Sequence, residues 1–305
     1  MHLSIPTGDQ TTNFPKFHRL NLILGRMADL NLLMTVNRGG IDSIDASYYC
    51  TLSDAEVASI LSTIDFAIYG FPVIYKELSP AVLPIVHTNC AGRLAIGSAF
   101  LRTSQLILTA RHCLEGAQAI SIRGISEREF REATIVVHKN DALDLAAIHF
   151  PNPLLPGVKP IDLGTGQILD DVLVMGYPNV PGFTEFLAAE KAAISARITV
   201  TKGAIASEAA DLWAKTPLFL ITARVRGGFS GGPVINAMGT AVGIVSREPL
   251  SKAADKNDLY AEYDNLGYGV VIPTEEIIKF LTACSKNDLT LVSRVDSRMI
   301  DYKPL

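Results

Sequence analysis

The sequence predicts a mainly β protein: two sets of six short antiparallel strands, a small helical extension before them and one helix after them. Three observations carry this. Between residues 81 and 272, short apolar runs alternate with polar turns. Helix-start signals flank that stretch, at Ser53-Asp54-Ala55-Glu56 and at Thr274-Glu275-Glu276. A Pro- and Gly-rich passage, 151–166, divides the strands into two groups.

Taken in order, residues 1–79 read as an appendage that packs on something. Leu20, Leu24, Met27 and Leu30 have near-helical spacing within an apolar-rich run from 20 to 34. Asn37-Arg38-Gly39-Gly40 reads as a turn, and a helix is expected from Ser53 to about Ile64 with Val57, Ile60, Leu61 and Ile64 on its face. Gly70-Phe71-Pro72 and Ser79-Pro80 punctuate the passage onward. The first strands are expected at 81–86, 94–101, 105–110, 119–123, 133–138 and 145–150, forming a barrel over about 80–155. The cluster 123–131 reads as a solvated loop. The second set is expected at 172–175, 193–201, 218–222, 233–236, 241–246 and 269–272, a barrel over about 165–273. A closing helix, 274–284, is expected to be capped by Thr274, and a tail covers 286–305.

Composition narrows the function. The 305 residues are 48% hydrophobic and 19% charged, so a large core can be buried. A net charge of −4 without a long basic run argues against nucleic acid as a partner. No stretch approaches about 18 uninterrupted apolar residues, so no membrane span is expected. The first residues lack a basic start followed by an apolar run, so the expected location is cytoplasmic. Four cysteines (50, 90, 113 and 284) form no paired framework, and no Cys/His set has metal-ligand spacing. His87, His138 and His149 stand singly and read as packed or surface residues. No cofactor and no metal are expected.

One stretch stands apart: Arg226-Gly227-Gly228-Phe229-Ser230-Gly231-Gly232-Pro233. So many glycines lose backbone entropy on folding and offer little to pack. They permit a tight turn in which Ser230 presents its hydroxyl while the Gly228 and Ser230 N–H groups face a developing oxyanion. Alone, the stretch is equally a Gly-rich hairpin. A serine nucleophile needs a base. His112 follows an apolar strand, and Asp144 opens another apolar run, where a carboxylate needs a partner. Asp141 is the rival for Asp144. The order His, Asp, Ser is one of the known triad orders.

The segments Thr109-Ala110-Arg111-His112-Cys113, Asp144-Leu145-Ala146 and Gly228-Phe229-Ser230-Gly231-Gly232-Pro233 resemble the three signatures of chymotrypsin-like (trypsin-like) serine proteases. Gly243-Ile244-Val245-Ser246 is similar to the strand beside the substrate in that family. The run 267–273 resembles the last strand of the Deg/HtrA branch, whose usual peptide-binding PDZ domain has no room in the short tail. The resemblance covers about residues 80–283. It implies a chymotrypsin-like fold of two six-stranded barrels and an endopeptidase acting on protein or peptide substrates. It implies His112, Asp144 and Ser230 as the triad, Gly228 and Ser230 as oxyanion donors, and Ser246 as a second partner of Asp144. Arg224, Val225 and Arg226, then Val245, Arg247 and Glu248, would wall the substrate pocket. If Arg224 turns away, that pocket is small and apolar; if it turns in, acidic side chains become acceptable.

The resemblance also marks departures. The disulfide next to the family's catalytic histidine is missing, with Ala95 and Ile96 where the partner of Cys113 is expected. Phe229 stands where trypsin-type zymogens carry an aspartate that pairs with a freed N-terminus, so no such salt bridge is expected to set the turn. Contacts with residues 1–79 or with a regulatory partner are the expected alternative. Two other readings remain: a catalytically silent protease-like binding protein, and an esterase using the same triad.

Overall fold

The computed structural model describes residues 14–29, 33–37, 47–49, 65–66, 68–88, 94–114, 116–140, 143–178, 186–187, 195–210, 216–246 and 268–303. They belong to two compact units, 1–64 and 65–305. In the first unit, helix α1 (Phe14–Asp29) is followed by an antiparallel pair, β1 (Met34–Asn37) and β2 (Ser47–Tyr49). The apolar run therefore leaves the helix at Asp29, and the β-branched Thr35 and Val36 sit in a strand, as their side chains favour. The helix expected from Ser53 and the turn residues 38–40 lie outside the described residues.

The second unit begins with helix α2 (Phe71–Leu78), which carries Pro72 in its first turn and buries Ile74 and Leu78, one turn apart. Strands β3 (Val82–Thr88), β4 (Leu94–Thr103), β5 (Leu106–Thr109) and β6 (Ala119–Ile122) follow. Helix α3 (Glu127–Glu132) and strands β7 (Thr134–His138) and β8 (Ala146–His149) complete the first set. After the connection come β9 (Asp171–Gly176), the short pair β10 (Phe186–Leu187) and β11 (Ser195–Ala196), and β12 (Thr199–Ala210). Strands β13 (Pro217–Ile221), β14 (Pro233–Asn236), β15 (Ala241–Val245) and β16 (Gly269–Pro273) lead into helix α4 (Thr274–Ser285). Strands β17 (Val292–Val295) and β18 (Asp301–Tyr302) end the chain.

The second set closes into a six-stranded barrel in the order β12-β13-β16-β15-β14-β9. Val172, Val174, Ile205, Phe219, Val234 and Val271 fill its core. The first set is a curled sheet, β7-β8-β5-β4-β3-β6, whose two edges do not join each other. Each edge takes a strand from the tail instead: β17 runs antiparallel to β7, and β18 parallel to β6. The Tyr302 hydroxyl is buried there and bonds to the Ile122 and Ile125 carbonyls. No described helix is long and apolar enough to cross a membrane.

Three local expectations are corrected. The cluster 123–131 is not a loop: Ser126 and Glu129 form a reciprocal capping box that starts α3, and Phe130 anchors it in the core. Thr274 does not cap α4. Pro273 holds that position, and the Thr274 hydroxyl instead donates to the Ala241 carbonyl, 2.9 Å away. The strand expected at 193–201 begins at Thr199 and runs much further, because β12 pairs with both β9 and β13. Beside these, Gly97 lies against Cys113, where an added Cβ would run into the sulfur.

Candidate active site

His112 sits in a tight turn, Arg111–Cys113, directly after β5. The turn is closed by Cys113 N–H and Leu114 N–H donating to the Ala110 and Arg111 carbonyls. Asp144, just before β8, is only 3% exposed. Its Oδ2 lies 2.7 Å from His112 Nδ1, and its Oδ1 accepts the His112 backbone N–H at 3.0 Å. Arg111 N–H donates to the Asp144 carbonyl, so the two segments are bound at backbone and side chain alike. Asp141, the rival, lies outside the described residues. Burial lowers the His112 pKa, but the adjacent Cys113 sulfur and the Asp144 carboxylate outweigh it, and the net shift is upward.

Ser230 lies in the turn between β13 and β14, contributed by the other set of strands. Its carbonyl accepts Ser98 N–H at 2.8 Å. A Cβ added at the neighbouring Gly231 would lie 2.7 Å from the Ala110 nitrogen, two residues before His112. The turn is therefore pressed against the strand end that carries the histidine. Among the described residues no hydrogen bond joins Ser230 Oγ to His112. Such bonds are often long in ligand-free enzymes and tighten with substrate.

The turn itself has a defined form. Phe229 N–H donates to the Arg226 carbonyl at 3.0 Å, and Gly228 has φ +99°. This is a type II turn, which requires positive φ at its third residue and so favours glycine there. Gly231 N–H goes to Val245 O and Gly232 N–H to Phe229 O. The Gly228 and Ser230 N–H groups have no acceptor among the described residues. Phe229 is 2% exposed and packs into the closed barrel's core, so an apolar side chain occupies the position of the zymogen aspartate.

The remaining expected site residues divide. Ser246 is fixed by its N–H to the Val270 carbonyl, and no described hydrogen bond joins its hydroxyl to Asp144. Val245 does not face a pocket: it is 2% exposed and belongs to the barrel core. Arg224 is exposed, and Val225 covers Gly269, leaving no room for a Cβ there. Arg247 and Glu248 lie outside the described residues. No metal-binding cluster occurs among the described residues.

Residues 97–244 match the family model of the trypsin-like peptidase domain. Over that stretch the chain is similar to a trypsin-like peptidase domain. The chloroplastic Protease Do-like 2 of Arabidopsis thaliana is 31% identical over 193 residues, 63% of this chain and 28% of that protein. The serine protease Rv3671c of Mycobacterium tuberculosis is 29% identical over 191 residues, 59% of this chain and 43% of that protein. The chain thus spans well under half the length of these relatives. The crystal structure of Rv3671c in its active form has a TM-score of 0.48 at 20% identity, covering 71% of this chain and 85% of that one.

Two neighbours of the candidate site gave no signal in the sequence. Ser98 bonds to the 226–232 turn at two points and to Tyr177 at a third, a role set by strand register rather than by any motif. His87 is 9% exposed on β3. Burial, and secondarily the charge of His112, push its pKa down to about 4. In the unfolded chain it titrates near its ordinary value of 6.5. Between those two pH values the unfolded state binds more protons, so stability falls as pH drops from about 6.5 to 4 and levels off below. Urea midpoints measured across that window should fall more steeply in the wild type than in His87→Gln. Equal slopes would show that His87 takes a proton in the folded state.

Proposed function

We propose that this chain is a serine endopeptidase that hydrolyses peptide bonds through His112, Asp144 and Ser230. The observation that carries the proposal is the buried Asp144 held 2.7 Å from His112 Nδ1, which leaves Nε2 as the nitrogen free to act as base. His112 takes the Ser230 proton as the hydroxyl attacks the carbonyl. The Gly228 and Ser230 N–H groups receive the oxyanion. His112 then protonates the leaving amine, and water releases the acyl group by the same steps in reverse. Asp144 fixes the tautomer and stabilises the imidazolium.

The exposed Arg224 and the apolar Val225 over Gly269 support a small apolar pocket for the residue before the scissile bond. A peptide library, read by mass spectrometry with Ser230→Ala as control, tests both points. Cleavage after aliphatic or modest aromatic residues, lost in the control, is expected. Preference for Lys or Arg would sink the pocket assignment, and cleavage that persists in the control would sink the mechanism.

The silent binding-protein reading draws on one observation, the missing hydrogen bond between Ser230 and His112 among the described residues. Fluorophosphonate labelling of Ser230 separates it from the active form. The pH dependence is a further check. A base must be neutral to accept a proton, and the His112 pKa is raised, so the acid limb of kcat/KM should lie above pH 6.5. A limb at or below 6.5 would contradict this.

A further inference from the structure

We propose that the Ser98 hydroxyl is a positioning residue that holds the 226–231 turn in the form presenting the Gly228 and Ser230 N–H groups; the inference rests on the peptidase reading above. Ser98 is fully buried in β4, on the opposite set of strands from the turn. Each of its polar groups is committed. Its carbonyl accepts the Thr109 hydroxyl at 2.7 Å. Its N–H donates to the Ser230 carbonyl at 2.8 Å. Its Oγ accepts Tyr177 N–H at 2.9 Å and donates to the Gly228 carbonyl at 2.6 Å. A hydroxyl has one proton, and Tyr177 N–H can only donate, so the proton belongs on the Gly228 side.

These bonds grip alternate peptides of the turn. The 228–229 peptide is held at its carbonyl by Ser98 Oγ and at its N–H by the Arg226 carbonyl. The 230–231 peptide is held at its carbonyl by Ser98 N–H and at its N–H by the Val245 carbonyl. Both carbonyls on that side therefore end on one residue. The peptide between them carries the Ser230 N–H and the one just before them carries the Gly228 N–H, and with their neighbours fixed both N–H groups have a defined direction. Gly227 and Gly228 have no side chains with which to anchor themselves, and glycine tolerates several turn geometries at similar cost. Hydrogen bonds from outside must then choose the geometry. Phe229 supplies one anchor by packing, and Ser98 supplies the polar one. Because Tyr177 N–H shares the same hydroxyl, the residue that follows β9 and the turn are tied to a single atom of the other sheet.

Three proteins decide the matter: wild type, Ser98→Ala, and Ser98→Thr, which keeps the hydroxyl. Should Ser98→Ala not fold, Ser98→Cys, of similar size but a weak donor, is read the same way. Amide hydrogen exchange over 224–234 reports on the turn whether or not the protein turns over peptides. In Ser98→Ala it should accelerate about tenfold or more while the rest of β4 and the closed barrel keep their protection. Kinetically, kcat should fall about 10- to 100-fold with KM within about twofold, a smaller loss than deleting a donor outright. Affinity for a peptide boronate, whose adduct places an oxygen where the oxyanion forms, should fall in parallel, and Ser98→Thr should recover most of each effect. Exchange at 224–234 unchanged in Ser98→Ala would overturn the inference. So would exchange raised equally throughout both sheets, or a rise in KM with kcat unchanged. If the wild type cleaves no peptide, the peptidase reading fails, and the exchange comparison still decides the hold of Ser98 on the turn.

Discussion

Ser230→Ala is expected to lower turnover of any peptide substrate about a million-fold, the scale seen when a triad nucleophile is removed. The fold should survive, because the bond that seats residue 230 uses its backbone: its carbonyl accepts Ser98 N–H, and alanine keeps that carbonyl. Melting temperature should therefore shift by no more than about 2 °C, as for a small, half-exposed change. The loss should be confined to kcat, with peptide affinity retained. Residual turnover within tenfold of wild type, measured on protein purified free of host peptidases, would place the nucleophile elsewhere.

Asp144→Asn should cost about four orders of magnitude in kcat. The amide keeps the shape of the carboxylate but not its chemistry. Oδ1 and Oδ2 of Asp144 both accept, one from the His112 backbone N–H and one facing Nδ1. Asparagine offers one acceptor and one donor. If its oxygen stays on the backbone N–H, its amine faces Nδ1 and selects the tautomer that puts the imidazole proton on Nε2, where the base must be free. If it flips, the backbone N–H of a half-buried turn loses its acceptor, which costs about 1 kcal/mol or more in stability. Loss of the carboxylate charge also removes one of the groups that raise the His112 pKa, so the acid limb of the residual activity should move down. An unchanged kcat in Asp144→Asn would show that another group orients the histidine.

Much of this arrangement was legible beforehand because it rests on local signals. Short apolar runs bounded by turn residues placed eleven of the twelve expected strands within a few residues, since alternation and turn chemistry act at short range. The segments carrying His112, Asp144 and Ser230 declared themselves by residue type: a carboxylate opening an apolar run, a serine among glycines. What escaped depends on pairing between distant segments. The resemblance puts Val245 in a pocket wall, yet β15 buries it in the core of the closed barrel. Gly97 faces Cys113, and Ser98 reaches Tyr177 and Gly228, only because β4 has one particular register against the rest of the sheet. A one-residue slip would reverse every such contact, and no local pattern encodes the choice. The tail strands were missed for the same reason: Val292–Val295 and Asp301–Tyr302 become strands by what they lie against.

Those tail strands bear on how the molecule is made. The partners of Tyr302 at Ile122 lie 180 residues upstream, so the sheet that carries His112 and Asp144 waits for its two border strands until the closed barrel has already been synthesised. Until then β6 and β7 present unpaired backbone groups, and a nascent or shortened chain would offer them to any extended segment nearby. Closing so wide a loop is also slow, because its entropy must be spent before the final contacts return anything. Completion of the first sheet is thus tied to residues that follow the closed barrel in the chain, and it is the stage at which aggregation and holding by chaperones would compete with folding.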